Sequence, residues 1–409
     1  MKHAKYTFFL LFFLFSTSSI YSLNVLIAVY QFPVLAQTFI LNHITGLIDR
    51  GHSVTIYAQK TSSQKKHQAA IETYNLIEKT YYKELPEDLN SFDVILCEFG
   101  YVGTKFAKLK KEGVFSKPLI TCFRGMDISA CIASAHHKNR YTTLFEVGDL
   151  FLPVCNYFKD KLIQLGCDEN KIIVHHSSID CNLFTLSKRS FAKDGPIKII
   201  SVNRLVKKKG TEYAIKAVAQ IIKKYKNKKF EYTIIGHGPD KAYLENLVHR
   251  LNIEQYVHFV GWKDRSEIIQ ELHAHDIFLL PSRKAHNGDE EGIPNALKEA
   301  MSCGLPVVST LHAGIPELIQ DGYSGYLVPE KQAFMLAEKL ELLIKHPKRC
   351  KDFGKRGRKF VKQEHHSTTQ LNRLETILFA VAESCGFQPV VESDKNHTQA
   401  LAKADGAMA

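Results

Sequence analysis

The sequence has no Cys-x-x-Cys pair, no Asp-x-Asp triplet and no apolar run long enough to cross a bilayer as a helix. Its nine cysteines are scattered through apolar runs, the pattern of reduced and mostly buried thiols, which favours a reducing compartment. Cys/His finger spacing, an aromatic RNA-binding strand and a basic region followed by heptads are missing too, and their absence argues against nucleic acid as a partner. Without Asp-x-Asp there is no obvious carboxylate pair to hold a metal-bound phosphate, so no metal site is expected.

What is present is ordinary globular material. The chain has 409 residues, 45% hydrophobic and 23% charged, enough for two domains with their own cores. An excess of 54 Lys and Arg over 42 Asp and Glu gives a net charge of +12, which suits phosphorylated ligands or an anionic membrane surface. Clusters at Lys108 to Lys111, Lys223 to Lys229 and Lys345 to Lys362 read first as solvated faces. Residues 1–22 have a basic start, an apolar run from Tyr6 to Phe15 and then small polar residues. This is the layout of a secretory signal, or of an interfacial anchor that stays in place.

From Asn24 the chain alternates strand and helix. "NVLIAV", "SVTIYA", "DVILCEF", "PLITCF" and "LFLPV" are strands, with "TFILNHITGLIDRGH" an amphipathic helix after the first. The series pauses near Asp180 to Pro196 and restarts with "IKIISVNRL", "FEYTIIG", "VHFVG", "DIFLLPS", "PVVST" and "GYLVP". Val/Ile/Leu-rich strands separated by helices imply parallel sheets covered on both faces. The expected organisation is α/β: residues 23–185 and 196–362 as two Rossmann-like domains facing each other across a cleft. A terminal helix over 363–384 and a disordered tail over 385–409 complete it.

The stretch "DEEGIPNALKEAMSCGLPVVST", Asp289 to Thr310, carries the chemistry. Acids before a helix, Pro294 at its start and Gly304 at its end are ordinary helix signals, but they leave Gly292 and Glu299 unexplained. A residue without a side chain there lets a diphosphate reach the free N–H groups of the first turn. Arg204 and Lys209 in "NRLVKKKG" follow a strand end, where cations face the ligand crevice of an open sheet. Glu299, about two turns into the helix, lies where a ribose would continue from the diphosphate, and Glu291 lies at the sugar end. "IIGHGPD" is as readily a tight turn as a phosphate contact.

"EGIPNALKEAMSCGLPVV", with Glu291 and Glu299 in E-x7-E spacing, resembles the donor signature of the family 4 retaining glycosyltransferases, which have the two-domain GT-B fold. "NRLVKKKG" is similar to that family's Arg-x4-Lys-Gly motif, and "HAGIPELIQDGYSGYLVP" resembles the segment after the signature. "FPVLAQTFILNHITGLIDRGHSV" and "YFKDKLIQLGCDENKIIVHHSSIDCNLF" look like members that build exopolysaccharide or lipopolysaccharide.

The resemblance implies transfer of a hexose-type sugar, with retention, from a UDP- or GDP-linked donor to a glycan or glycolipid acceptor. No cofactor is implied. Arg204 and Lys209 would bind the diphosphate, Glu299 the ribose, Glu291 with Gly292, Ile293, Pro294 and Asn295 the sugar and distal phosphate, and Gly261 to Lys263 the base. Asp127 matches a family position in the acceptor half, where Gln37, Thr38 and Arg124 are further candidates. Arg124 stands where many relatives have His, and Ser177-Ser178 where Met-Gly is common. A nucleotide-sugar-binding pseudoenzyme and another GT-B enzyme, a phosphorylase or epimerase, remain open. Cytosolic donors and dispersed thiols place the working enzyme at the cytosolic side of a membrane, with secretion as the alternative.

Overall fold

The computed structural model describes residues 21–34, 38–62, 68–133, 139–187 and 195–384. In the first half, β1 (Asn24–Phe32), α1 (Thr38–Asp49), β2 (Ser53–Thr61), α2 (Gln68–Thr73), β3 (Thr80–Tyr82), β4 (Val94–Glu98) and α3 (Gly100–Lys111) are followed by β5 (Leu119–Phe123), α4 (Thr142–Val147), β6 (Leu150–Pro153) and α5 (Asn156–Gln164). β4 and β5 are buried along their whole length, and apart from Glu98 and Thr121 their side chains are apolar on both faces rather than alternating. All pairings are parallel, in the order β3-β2-β1-β4-β5-β6.

The second half repeats the plan: β7 (Ile197–Val202), α6 (Thr211–Lys224), β8 (Phe230–Ile235), α7 (Lys241–Arg250), β9 (Val257–Gly261), α8 (Arg265–Ala274), β10 (Ile277–Leu280), α9 (Asn295–Ser302), β11 (Val307–Thr310), α10 (Ile315–Leu318) and β12 (Tyr326–Val328). Its sheet runs β12-β11-β10-β7-β8-β9, the same order counted from its own first strand. Strand order therefore reverses between β1 and β4 and between β7 and β10. Crevices outside the carboxyl ends of those strands are where ligands bind in such sheets. Thr38 follows β1, Arg204 and Lys209 follow β7, and Asp289 to Pro294 follow β10.

Three helices follow the second sheet. The Lys/Arg-rich run is itself a helix, α11 (Ala333–Lys345) being followed by α12 (Pro347–Glu364), and the chain turns at His365 into α13 (Ser367–Ser384). Cys350, Phe353, Gly354, Gly357 and Val361 form the buried face of α12, and its lysines take the other face, while Arg358 donates to the Phe184 carbonyl at 2.9 Å. α13 returns to the first half: Leu374, Leu378 and Ala382 join the core containing Ile44 and Leu47, and Glu375 accepts from His52 Nε2 at 2.9 Å. The last helix thus ties the two halves together.

The eight described cysteines are free thiols, seven of them buried, while Cys385 lies outside the described residues. Among the described residues no helix is long and apolar enough to cross a membrane. Residues 1–20 of the signal-like segment 1–22, and the tail at 385–409, lie outside them.

Gly210 decides how β7 hands over to α6. Its φ is +64°, and a Cβ there would lie 1.9 Å from the Pro281 carbonyl oxygen. Gly210→Ala is expected to lower the urea-unfolding free energy by about 3 kcal/mol or more, combining left-handed strain with a backbone clash.

Candidate active site

The three consecutive acids take three different partners. Asp289 pairs with Lys208 at 3.1 Å within the second half. Glu290, 2% exposed, reaches the first half, where it pairs with Lys161 and accepts from the Tyr157 hydroxyl at 3.2 Å. Glu291 pairs with Lys209 at 2.9 Å and lies 3.7 Å from Lys208. Burial alone would raise the Glu291 carboxyl, but the ammoniums of Lys209 and Lys208 bring it down to about 2. Burial in turn lowers the Lys209 pKa against the pull of Glu291.

The Glu291 backbone is fixed as well. Its N–H donates to His312 Nε2 at 3.0 Å, and His312 Nδ1 donates to Glu330 at 2.5 Å, which sets the imidazole tautomer. Arg204 is exposed beside Lys209 and has no side-chain partner among the described residues.

α9 starts behind Pro294, which offers no side-chain cap to its first turn. Glu299 is its fifth residue, just over one turn in rather than two. The carboxylate is half-buried and has no hydrogen bond or ion pair among the described residues. Burial raises its pKa to about 7, against the nearby cations Arg265 and Lys298. An unpartnered, partly protonated acid beside cations is ready to accept hydrogen bonds from a ligand.

Gly292 makes a close contact that its sequence does not suggest. A Cβ there would meet Val154 Cγ2 at 2.6 Å, Phe158 at 3.2 Å and the Arg124 carbonyl at 3.3 Å, all in the first half. The missing side chain lets the two halves touch. Ile293 is buried in the core beneath this contact, and the Asn295 carboxamide oxygen accepts from Ser177 Oγ at 3.1 Å. Glu317 adds a third crossing, capping α5 through the N–H groups of Asn156 (2.8 Å) and Tyr157 (3.0 Å). At the far end, Gly261 closes β9 at φ +76°, Trp262 is half exposed, and Lys263 is engaged by Glu271 at 2.6 Å.

The first-half candidates lie deeper than expected. Asp127 is fully buried, and its carboxylate accepts from the backbone N–H groups of Gly100 (3.0 Å), Arg124 (3.1 Å) and Gly125 (2.8 Å). Burial pushes its pKa up against those three amides. Through these three amides it braces the 124–129 loop.

Arg124 stacks on Phe39 at 4.4 Å and donates through Nε to the buried Glu98 at 2.6 Å, which also receives His43 Nδ1 at 2.8 Å. Burial would raise the Glu98 carboxyl, and Arg124 with His43 bring it down to about 2. Thr38 opens α1, half-buried, and Gln37 lies outside the described residues. Sequence reasoning passed over Lys208, Arg265, His312 and Lys161. Lys208 was hidden in a lysine run, and the pairing of Lys161 with Glu290 has no local signal across 129 positions.

Removing one partner of the Glu98–Arg124 pair leaves a buried charge. Arg124→Ala is expected to cost about 3 to 5 kcal/mol of stability in urea unfolding at neutral pH. Because the Glu98 pKa is depressed on folding, the pair stabilises above the ordinary carboxylate range. That contribution is lost as pH falls toward 2, so the variant's deficit should shrink in acid.

Residues 184–360 match the family model described as glycosyl transferases group 1. The chain is 38% identical to the amylovoran biosynthesis glycosyltransferase AmsK of Erwinia amylovora, over 75% of this chain and 87% of that one. It is 37% identical to WcaL of Salmonella typhimurium, a glycosyltransferase assigned to colanic acid biosynthesis, over 76% and 88%. Among solved structures, Anabaena HepE in complex with UDP superposes with a TM-score of 0.72 at 18% identity, covering 87% of this chain and all of that one. Sucrose-phosphate synthase of Thermosynechococcus elongatus gives 0.70 at 15%, covering 88% and 100%. The two halves therefore form a GT-B fold.

Proposed function

The chain belongs to the group 1 glycosyltransferases, and from that premise we propose that it transfers a hexose-type sugar from a nucleotide sugar to a glycan or glycolipid during exopolysaccharide assembly. Transfer retains the anomeric configuration and uses the protein's own cations in place of a metal. The observation that carries this reading is the grouping of Lys208 and Lys209 on Glu291, ahead of an uncapped helix start and the unpartnered Glu299. Exopolysaccharide is favoured by what AmsK and WcaL are named for.

Departure of a nucleoside diphosphate builds negative charge on the leaving oxygen. Lys209 and Arg204 meet that charge, together with the N–H groups at the start of α9, and such fixed donors supply most of the acceleration in reactions of this kind. A diphosphate competes with Glu291 for Lys209, and binding frees the Glu291 carboxylate to face the sugar. Glu299 accepts from the ribose hydroxyls. The acceptor attacks from the leaving-group face, and its hydroxyl proton passes to the departing diphosphate oxygen as the glycosidic bond forms and the carbon–oxygen bond to the diphosphate breaks. Residues 261–263 lie toward the base, with the exposed Trp262 ring as its platform. Arg124 is engaged by Glu98, so the change from His leaves the donor cations intact. The +12 charge supports peripheral attachment to an anionic cytosolic leaflet, each lysine near the surface adding about 1 kcal/mol.

Lys209→Ala and Glu299→Gln, both folded by circular dichroism, should each lose about 2 to 4 kcal/mol of transition-state stabilisation in an assay with a nucleotide-sugar donor. Tens- to several-hundred-fold slower transfer is the expected reading. Donor affinity should weaken as pH falls below about 7, because the protonated Glu299 of the free protein must release its proton to accept the ribose hydroxyls. Glu299→Gln should flatten that slope.

Removal of divalent ions with EDTA should leave transfer unchanged. Loss of turnover that manganese restores would show the protein's cations to be insufficient.

A further inference from the structure

Lys298 stands beside Glu299 on α9 and is fully buried, between Leu297 and Ala300, which are equally inaccessible. An apolar residue would satisfy this face of the helix, and an isolated buried ammonium is expensive. Its Nζ donates to the Ser177 carbonyl at 2.6 Å, to Ser177 Oγ at 2.7 Å and to the Asn295 carboxamide oxygen at 3.2 Å. A lysine ammonium has three N–H donors, and all three are taken.

The acceptors belong to different halves. Ser177 lies in the extended segment after α5 that continues alongside β6, where His175 N–H donates to the Pro153 carbonyl. Asn295 is the first residue of α9. One side chain thus ties the first half to the first turn of the helix that carries Glu299. Glu290 and Glu317 also cross between the halves, but Lys298 crosses from the helix carrying Glu299.

The geometry points to Lys298 as a positioning residue that sets the closure of the two halves and thereby aligns Asn295 and Glu299 for the donor, a role that rests on the donor-site reading above. It touches neither donor nor acceptor. Burial lowers its pKa to about 7. The charged and titratable groups around it are Cys155 at the start of α5, Arg124 after β5, His176 beyond α5, His365 between α12 and α13, and Glu299 on its own helix. Above that pH the amine keeps only two donors and the tie loosens. Glu299 requires the opposite, an ionised carboxylate. Transfer should therefore pass through a maximum near neutrality, with the two limbs belonging to an interacting pair.

The test is Lys298→Met, which keeps length and removes charge. Three readouts on the full chain are needed: thermal midpoint, kcat and KM against pH, and the radius of gyration by small-angle X-ray scattering with and without UDP. The midpoint should change little, because relief of the buried charge offsets the hydrogen bonds lost at Ser177 and Asn295. The radius of gyration should increase, kcat should fall tenfold or more, and the alkaline limb should disappear while the acidic limb remains. Ser177→Ala, a milder change that retains the carbonyl acceptor, should act in the same direction and add little to Lys298→Met.

Wild-type kcat and pH profile in folded Lys298→Met would overturn the proposal, as would full additivity of the two substitutions. If Lys298→Met fails to fold, Ser177→Ala decides, with an unchanged radius of gyration and pH profile counting against it. Failure of the wild-type protein to bind any nucleotide sugar would strike the donor-site reading instead, while the scattering comparison would still judge the tie.

Discussion

Carboxylates withdrawn from water must be met by cations, and Asp289, Glu290 and Glu291 impose that requirement at the junction of the two halves. Lysines answer all three, chiefly Lys208 at Asp289, Lys161 at Glu290 and Lys209 at Glu291, with Lys284 also on Glu290 and Lys208 also near Glu291. The first contact holds the β10 loop to the segment after β7, and the second binds the halves to each other. The third holds a cation at the crevice in a form that an anionic ligand can take over. Gly292 completes the arrangement by letting the loop lie against Val154 and Phe158 without a side chain between them. On the proposed reading, contact between the halves and donor binding draw on one short run of chain.

That economy explains the division of labour between the halves. The second half supplies Arg204, Lys209, the start of α9 and Glu299, all at the switch point of its sheet. The first half supplies a rigid wall, in which Asp127 braces the 124–129 loop through three amides and Glu98 neutralises Arg124. α13 then returns to the first half and limits how far the two can part.

Much of this was legible in the sequence because it is local. Apolar runs marked every strand but the short β3, whose Thr80–Tyr82 carries no aliphatic run, and E-x7-E spacing with "NRLVKKKG" marked the residues that the fold gathers beside β7 and β10. Contacts between distant segments were not legible. Nothing near Gly292 indicates that its open side faces Val154, and nothing near Lys298 indicates a partner at Ser177, 121 positions away. The Lys/Arg density of α12 concealed a buried face, since a solvated charge run and an amphipathic helix differ only in where the few apolar residues recur. Asp127 matched a motif by type, yet its burial and three amide donors depend on how β5 turns into its loop.

The central claim is that a nucleoside diphosphate displaces Glu291 from Lys209 and lays its ribose on Glu299. A crystal structure of the protein grown with UDP or GDP tests it directly. The expected result has phosphate oxygens on Lys209, Arg204 and the first turn of α9, the Lys209–Glu291 contact broken, and both ribose hydroxyls within hydrogen-bond distance of Glu299. A nucleotide seated elsewhere, or one seated here with the Lys209–Glu291 pair intact, would contradict it.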